Sequence, residues 1–220
     1  MKLSKRLISI SNFIDDNSKV IDVGCDHALL DIYLFKNKKN ISLIASDVRS
    51  GPLKQAKRNI DKYNCDIKVK LGYGISTIES DIDTVVIAGM GGDTIIDILN
   101  SDSNLLVNVE KMVLSPQSEW MKVRKVISSL GFYISNEILV EDSDKYYLII
   151  EAKKGHKDYN DLELEYGPLL LKNKSLEFLS YYKKVLAEEE KVLEKIPKEK
   201  IEEYQNKENE INLLKNMINE

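Results

Sequence analysis

The sequence predicts an α/β fold with a doubly wound, mostly parallel sheet that ends in one reversed strand. Three features of the chain carry this prediction. Short Val/Ile/Leu runs alternate with amphipathic stretches as far as Leu130, the order that builds parallel sheets. The first run, Lys19–Val23, is continuous, as a strand buried on both faces requires, whereas Ile67–Leu71 alternates. Two last β-type runs, about Phe132–Val140 and Tyr146–Ala152, are joined only by the acidic turn Glu141-Asp142-Ser143-Asp144. A parallel crossover needs a dozen or more residues, so this pair must be antiparallel.

The elements follow in order. Leu3, Leu7, Ile10 and Ile14 recur at helical spacing, with Lys2, Lys5 and Arg6 on the polar side. Lys19–Val23 is the first strand, closed by Gly24-Cys25-Asp26-His27, and a helix then runs from Leu29 to Phe35. Ser42–Asp47 is the second strand. Arg49-Ser50-Gly51-Pro52 starts a helix that reaches about Tyr63, since proline suits a first helical turn. Ile67–Leu71 is a third strand, broken by Gly72-Tyr73-Gly74. The fourth, Thr84–Ala88, stops at Gly89-Met90-Gly91-Gly92-Asp93, and a helix covers Thr94–Leu99. Met112–Leu114 is a fifth strand stopped by Ser115-Pro116, and Glu119–Leu130 is a helix closed by Gly131.

Around residue 155 the β-type runs cease. Phe178, Tyr182, Val185, Val192 and Ile196 form one apolar stripe, and Ile201, Tyr204, Ile211, Leu214 and Ile218 another, with Pro197 between. This predicts a coiled-coil-like helical hairpin turning near Pro197. Two domains are therefore expected, 1–155 and 156–220.

Hydrophobic residues at 43% and charged residues at 31% describe a globular chain and exclude a disordered one. No apolar run spans a bilayer, and the first residues lead into no signal-peptide core, so no membrane association and a cytoplasmic location are expected. Cys25 and Cys65 have no metal-ligand spacing and read as free thiols, with no metal site. The net charge of −4 is unevenly spread: from Asp158 onward there are roughly 10 lysines and 15 acids, about −5, leaving about +1 for the rest. A polyanion would therefore need a local patch and not a basic domain.

The candidate residues sit after predicted parallel strands, where open α/β sheets bind ligands. They are Gly24 to His27, Asp47, Tyr73, Gly89 to Gly92, and Ser115 to Gln117. An acid such as Asp47, at the end of the second strand, is placed to hold the ribose of a nucleotide-like cofactor. Asp26 is open to two readings: a cap for the helix that begins near Ala28, or a carboxylate beside the cofactor's reactive end. Trp120, Tyr146 and Tyr147 are open to two readings: core or cleft-wall residues, the reading preferred here, or rings that stack on a base. The full Gly-x-Gly-x-x-Gly run of nicotinamide dehydrogenases is missing after the first strand.

Asp22-Val23-Gly24-Cys25-Asp26-His27-Ala28, then Gly51-Pro52, then Gly89-Met90-Gly91-Gly92 resemble the bacterial tRNA (adenine-22-N1) methyltransferases along essentially the whole chain. The resemblance implies a Rossmann-like class I methyltransferase domain followed by a helical coiled-coil domain. It implies S-adenosyl-L-methionine as cofactor, held by Asp22, Gly24, Cys25, Asp47, Val48, Tyr73, Gly74, Gly89, Met90 and Gly91. It implies catalytic roles for Asp26 and His27, and tRNA as partner. The chain departs from the family's usual pattern at Cys25 (Ser), Leu29 (Tyr), Asp31 (Pro), Tyr73 (Asp) and Ser115-Pro116-Gln117 (Gln-Pro-Asn). The turn after the fourth strand lacks the Asn/Asp-Pro-Pro-aromatic clamp typical of enzymes that methylate exocyclic amino groups. A ring nitrogen has an in-plane lone pair and can dispense with that clamp, so direct in-line transfer to N1 is the expected reaction. Another RNA position, a small-molecule substrate, or a non-catalytic RNA-binding relative are the alternatives. The oligomeric state is not set by the sequence; a monomer is the expectation.

Overall fold

The structure, a computed structural model, describes residues 3–219. Lys2, assigned from the sequence to the polar face of the first helix, lies outside them. The chain divides into two compact units, Met1–Leu169 and Leu170–Glu220.

In the first unit a seven-stranded sheet has the order β3-β2-β1-β4-β5-β7-β6. The strands are β1 (Lys19–Val23), β2 (Ser42–Asp47), β3 (Lys68–Leu71), β4 (Thr84–Met90), β5 (Lys111–Pro116), β6 (Phe132–Asp142) and β7 (Lys145–Lys154). The first five are parallel, while β7 runs antiparallel to both β5 and β6. The predicted doubly wound sheet with one reversed strand is thus the observed one. β1 lies between β2 and β4, so the chain reverses its winding there. That is the switch point at which such sheets open a crevice at the carboxyl ends of their strands.

The helices are α1 (Lys5–Asn12), α2 (Leu29–Asn37), α3 (Ser50–Lys62), α4 (Gly92–Asn100) and α5 (Trp120–Ser129). Val20, Ile21, Ile44, Val85, Val86, Val113 and Ile149 are almost wholly excluded from solvent, as continuous apolar runs on central strands demand. The β6–β7 turn is the two residues Ser143 and Asp144, at φ 53° and 63°. Two left-handed residues match the twist of the flanking strands, the property of a type I′ hairpin.

Three expectations need correction. The fourth strand does not stop at Ala88 but continues to Met90, which pairs with Pro116 after a register shift. Gly89, at φ 80°, absorbs the extra residue as a bulge. The fifth strand likewise runs through Ser115 to Pro116, because a proline can close a strand whose next amide, Gln117, bonds to Met90 O at 2.9 Å.

The third concerns the boundary, which falls after Leu169 and not after 155. Two short helices, α6 (Asp161–Tyr166) and α7 (Pro168–Asn173), were not foreseen. A capping box, Asn160 with Glu163, starts the first of them. Arg124 and Glu137, both without exposed side-chain surface, pair at 3.1 Å. Arg124 Nη1 donates to the carbonyls of Leu164 and Glu165 at 2.9 Å each, and Glu137 Oε1 accepts the Leu169 amide at 2.8 Å. A Cβ on Gly167 would stand 2.5 Å from Glu137 Oε1, so only glycine lets the chain pass. These bonds fasten α6 to the sheet unit.

In the second unit α8 (Leu176–Leu193) and α9 (Ile201–Asn219) form the expected hairpin, joined by residues 194–200. Ser175 caps α8 by accepting from the Phe178 amide. Phe178, Tyr182, Ile211, Leu214 and Met217 are buried. Val192 and Ile201, assigned to the apolar stripes, are exposed because they flank the turn.

Candidate functional site

β1, β2, β3, β4 and β5 all end on one edge, so the loops after them are neighbours. Register fixes this: Val23 lies opposite Ser46 and Ile87, Asp47 opposite Leu71, and Ala88 opposite Ser115. The predicted residues Gly24 to His27, Asp47 and Val48, Tyr73 and Gly74, and Gly89 to Gly91 line up along this edge.

The loop after β1 is built by backbone bonds. The amides of Gly24 and Cys25 both donate to Ser46 O, at 2.8 and 2.9 Å. Gly24 adopts φ 80°, and a Cβ there would stand 2.0 Å from Met90 Cε. Glycine is needed for both conformation and approach. The Cys25 thiol is buried, and burial pushes its pKa up, with the carboxylates of Asp22 and Asp31 adding to the effect. It is an inert packing residue and not a nucleophile.

Asp26 and Ala28 both take left-handed conformations, at φ 49° and 54°, which non-glycine residues adopt rarely and at a cost. Ala28 is the N-cap of α2 and carries no side-chain cap bond. The capping alternative for Asp26 is thereby removed. Its carboxylate is instead exposed, 3.6 Å from His27 Nε2. His27 is held from behind, where its carbonyl accepts from Asn59 Nδ2 at 2.9 Å. A cleft at the carboxyl ends of β1 and β4 is lined by Asp22, Gly24, Cys25, Asp26, His27 and Ala88, among others.

Beneath that loop lie two buried carboxyls. Asp22 on β1 and Asp31 in the first turn of α2 are neighbours that shift each other's protonation. Neither oxygen of Asp31 has a hydrogen-bond partner among the described residues, so burial there favours the neutral, protonated carboxyl. Burial raises Asp22 to about 7, and the Asp47 charge adds to this while the nearness of the Asp31 carboxyl opposes it. Burial also raises Asp31 well above the ordinary carboxylate range.

Further along the edge, Asp47 is buried, its Oδ1 accepting the Arg49 amide at 2.8 Å. Val48 and Tyr73 are exposed. Gly74, at φ 51°, packs on Ile98. Gly91 is the N-cap of α4, and the Gly92 amide donates to Ser118 Oγ at 3.2 Å.

Two residues of the site carried no signal in spacing. Arg6 reaches the cleft from α1, although in sequence it is one basic residue on a polar face. Asp31 could have been noticed as a lone acid in the apolar run Leu29-Leu30-Asp31-Ile32.

A reversed-strand Rossmann-like sheet with a glycine turn after β1 and a buried acid closing β2 defines the class: a nucleotide-cofactor enzyme of the class I methyltransferase type. The model of the family "tRNA (adenine(22)-N(1))-methyltransferase" matches residues 20–216, and the chain belongs to that family. It is 31% identical over 205 residues to the tRNA (adenine(22)-N(1))-methyltransferase of Bacillus subtilis, covering 89% of this chain and 86% of that one. Streptococcus pneumoniae Sp1610 in complex with S-adenosyl-L-methionine is 30% identical with a TM-score of 0.90, covering 99% of this chain and 100% of that one. M. capricolum TrmK in complex with S-adenosyl-homocysteine is 28% identical with a TM-score of 0.87, covering 99% and 98%. No helix among the described residues is long and apolar enough to cross a membrane.

Proposed function

We infer that this chain transfers a methyl group from S-adenosyl-L-methionine to N1 of adenine 22 in tRNA. The observation that carries the reading is the convergence of the Asp22–His27 loop and the Gly89–Gly92 turn on one sheet edge, in a chain matched by that family over residues 20–216.

The residues present fit the cofactor. The missing Cβ at Gly24 leaves a bare backbone turn, and Asp47 is a buried acid at the end of β2. When bound, S-adenosyl-L-methionine supplies the methyl group on a sulfonium. Asp47 would accept from the ribose hydroxyls. Asp22, Gly24, Cys25 and the Gly89-Met90-Gly91 turn would hold the methionine end, and Val48, Tyr73 and Gly74 the adenine end. Asp26 would accept from the amino group of the target base and offset the positive charge that grows on its ring. His27, beside it, would keep that carboxylate oriented. N1 of adenine carries no proton, so no general base has to act before transfer. The target base has to leave its stack to reach this edge.

The sheet domain, placed at 1–155 by composition, would bind the cofactor, and the helical hairpin within 156–220 would engage tRNA. The enzyme would act as a cytoplasmic monomer, which light scattering on purified protein would check. The function itself is tested by incubating the protein and S-adenosyl-L-methionine with a tRNA transcript bearing A22 and one bearing G22. Mass spectrometry of digested nucleosides should find 1-methyladenosine only in the first. Its absence from both would overturn the reading.

A further inference from the structure

The cleft contains one strong cation to which the roles above give no task. Arg6 is the second residue of α1, and its amide donates to Asp142 Oδ2 at 3.1 Å, tying the start of α1 to the hairpin end of β6. Its guanidinium carbon lies 5.0 Å from the centre of the Tyr147 ring on β7, a cation–π distance. Its Nη1 is 3.2 Å from the point a Cβ on Gly89 would occupy. Between these two supports the side chain lines the same cleft as Asp22, Gly24, Asp26 and His27. Among the described residues, no carboxylate forms an ion pair with it.

An arginine stays charged at every pH the protein meets and presents a planar fork of donors. The ring of Tyr147 and the bare backbone of Gly89 fix where that fork stands but supply no negative charge. A half-buried guanidinium with no counter-ion among the described residues bears a desolvation cost that a bound oxyanion offsets, through a paired, charge-assisted contact.

We propose that Arg6 is the anion-binding residue of the methyl-transfer cleft, its guanidinium forming a two-pronged contact with an oxyanion brought in beside Gly89. The inference rests on the reading of this cleft as the tRNA methylation site. Two oxyanions of the reaction share the chemistry: the α-carboxylate of the methyl donor and a phosphate next to the target nucleoside. Arg6 acts by positioning, because it holds a charged group at a fixed distance from the Asp26–His27 pair and takes no proton.

The experiment compares the full-length parent with Arg6→Gln and Arg6→Lys. Calorimetry would measure binding of S-adenosyl-homocysteine and of 5′-methylthioadenosine, the same nucleoside without the amino-acid end. Fluorescence anisotropy would measure tRNA binding across a series of salt concentrations. If the oxyanion is the carboxylate, Arg6→Gln weakens S-adenosyl-homocysteine about tenfold or more, the scale of a lost charge-assisted contact, and leaves 5′-methylthioadenosine unchanged. If it is a phosphate, cofactor binding is unchanged, tRNA binding weakens, and the log–log salt slope becomes shallower by about one. Arg6→Lys, which keeps the charge but not the fork, should fall between parent and Arg6→Gln. Parental values for both ligands and for the salt slope in both variants would overturn the proposal. Should Arg6→Gln fail to fold, Arg6→Lys with parental values alone would do so. A parent that binds both ligands but forms no 1-methyladenosine would remove the proposed function and leave the Arg6 comparison readable.

Discussion

The carboxyls of Asp22, on the central strand β1, and Asp31, in the first turn of α2, lie close enough in the protein interior to shift each other's protonation, with Asp31 fully buried. Both have their pKa raised, chiefly by burial, Asp22 to about 7. A raised carboxyl binds more protons folded than unfolded, so the pair's contribution to stability is fully present below the unfolded value near 4 and is lost as pH rises through 7. Asp31→Asn removes one buried ionisable group and places permanent amide donors beside Asp22. It should stabilise the fold by about 1–3 kcal/mol at pH 8 and by less at pH 5. Thermal melts at the two pH values check this, and equal gains at both would show that the pair does not titrate in this window.

Asp26 allows catalysis to be separated from structure. Its φ of 49° is a conformation that asparagine shares and alanine resists. Asp26→Asn should keep the fold and the affinities for cofactor and tRNA within a few-fold, while slowing methyl transfer on the order of 10²-fold. His27, less able to balance a positive charge, should matter less. Single-turnover rates with both ligands saturating are the measurement, since weakened binding cannot then imitate slow chemistry. A parental rate would remove Asp26 from the reaction.

Asp47 is the test of the cofactor end. It is buried, and its Oδ1 already accepts the Arg49 amide, so its carboxylate is fixed before any ligand arrives. Asp47→Ala should weaken S-adenosyl-L-methionine by about 1.5–3 kcal/mol, the worth of a hydrogen bond to a charged group. Unchanged affinity by calorimetry would place the ribose elsewhere.

The Arg124–Glu137 pair predicts where the chain can be cut. Removing residues from Leu170 onward leaves the carbonyls of Leu164 and Glu165 on Arg124 and should keep cofactor affinity near that of the full chain while tRNA affinity falls. Removing residues from Asp158 onward strips those bonds from a fully buried ion pair and should cost about 3–5 kcal/mol of stability, the scale of leaving a buried charge uncompensated. Denaturant titration of the two truncations decides the matter. Equal stabilities would mean that α6 is not part of the sheet unit's core, and undiminished tRNA binding would make the hairpin structural only.

The sequence by itself determined what repeats over short distances. Continuous Val/Ile runs placed β1, β2 and β4, helical spacing placed α1 and α8, and the tight acidic turn between β6 and β7 dictated one reversed strand. Gly24, Asp47 and the Gly89–Gly92 turn were legible because loops at the ends of parallel strands share an edge whatever the details of packing. What depended on contacts between distant segments was decided only by the tertiary structure. Asp26 could have been a helix cap until the left-handed turn gave that place to Ala28. The end of the sheet unit moved to Leu169 because Arg124 and Glu137, far away in sequence, bond to the backbone of α6 and of Leu169. Arg6 entered the cleft because α1 folds back toward Tyr147 and Gly89. Asp31 met Asp22 only when α2 folded back over the sheet beside β2. Periodicity reports which face of an element is buried, not which residues from separate elements come to lie against one another, and the charges of this site are set by those meetings.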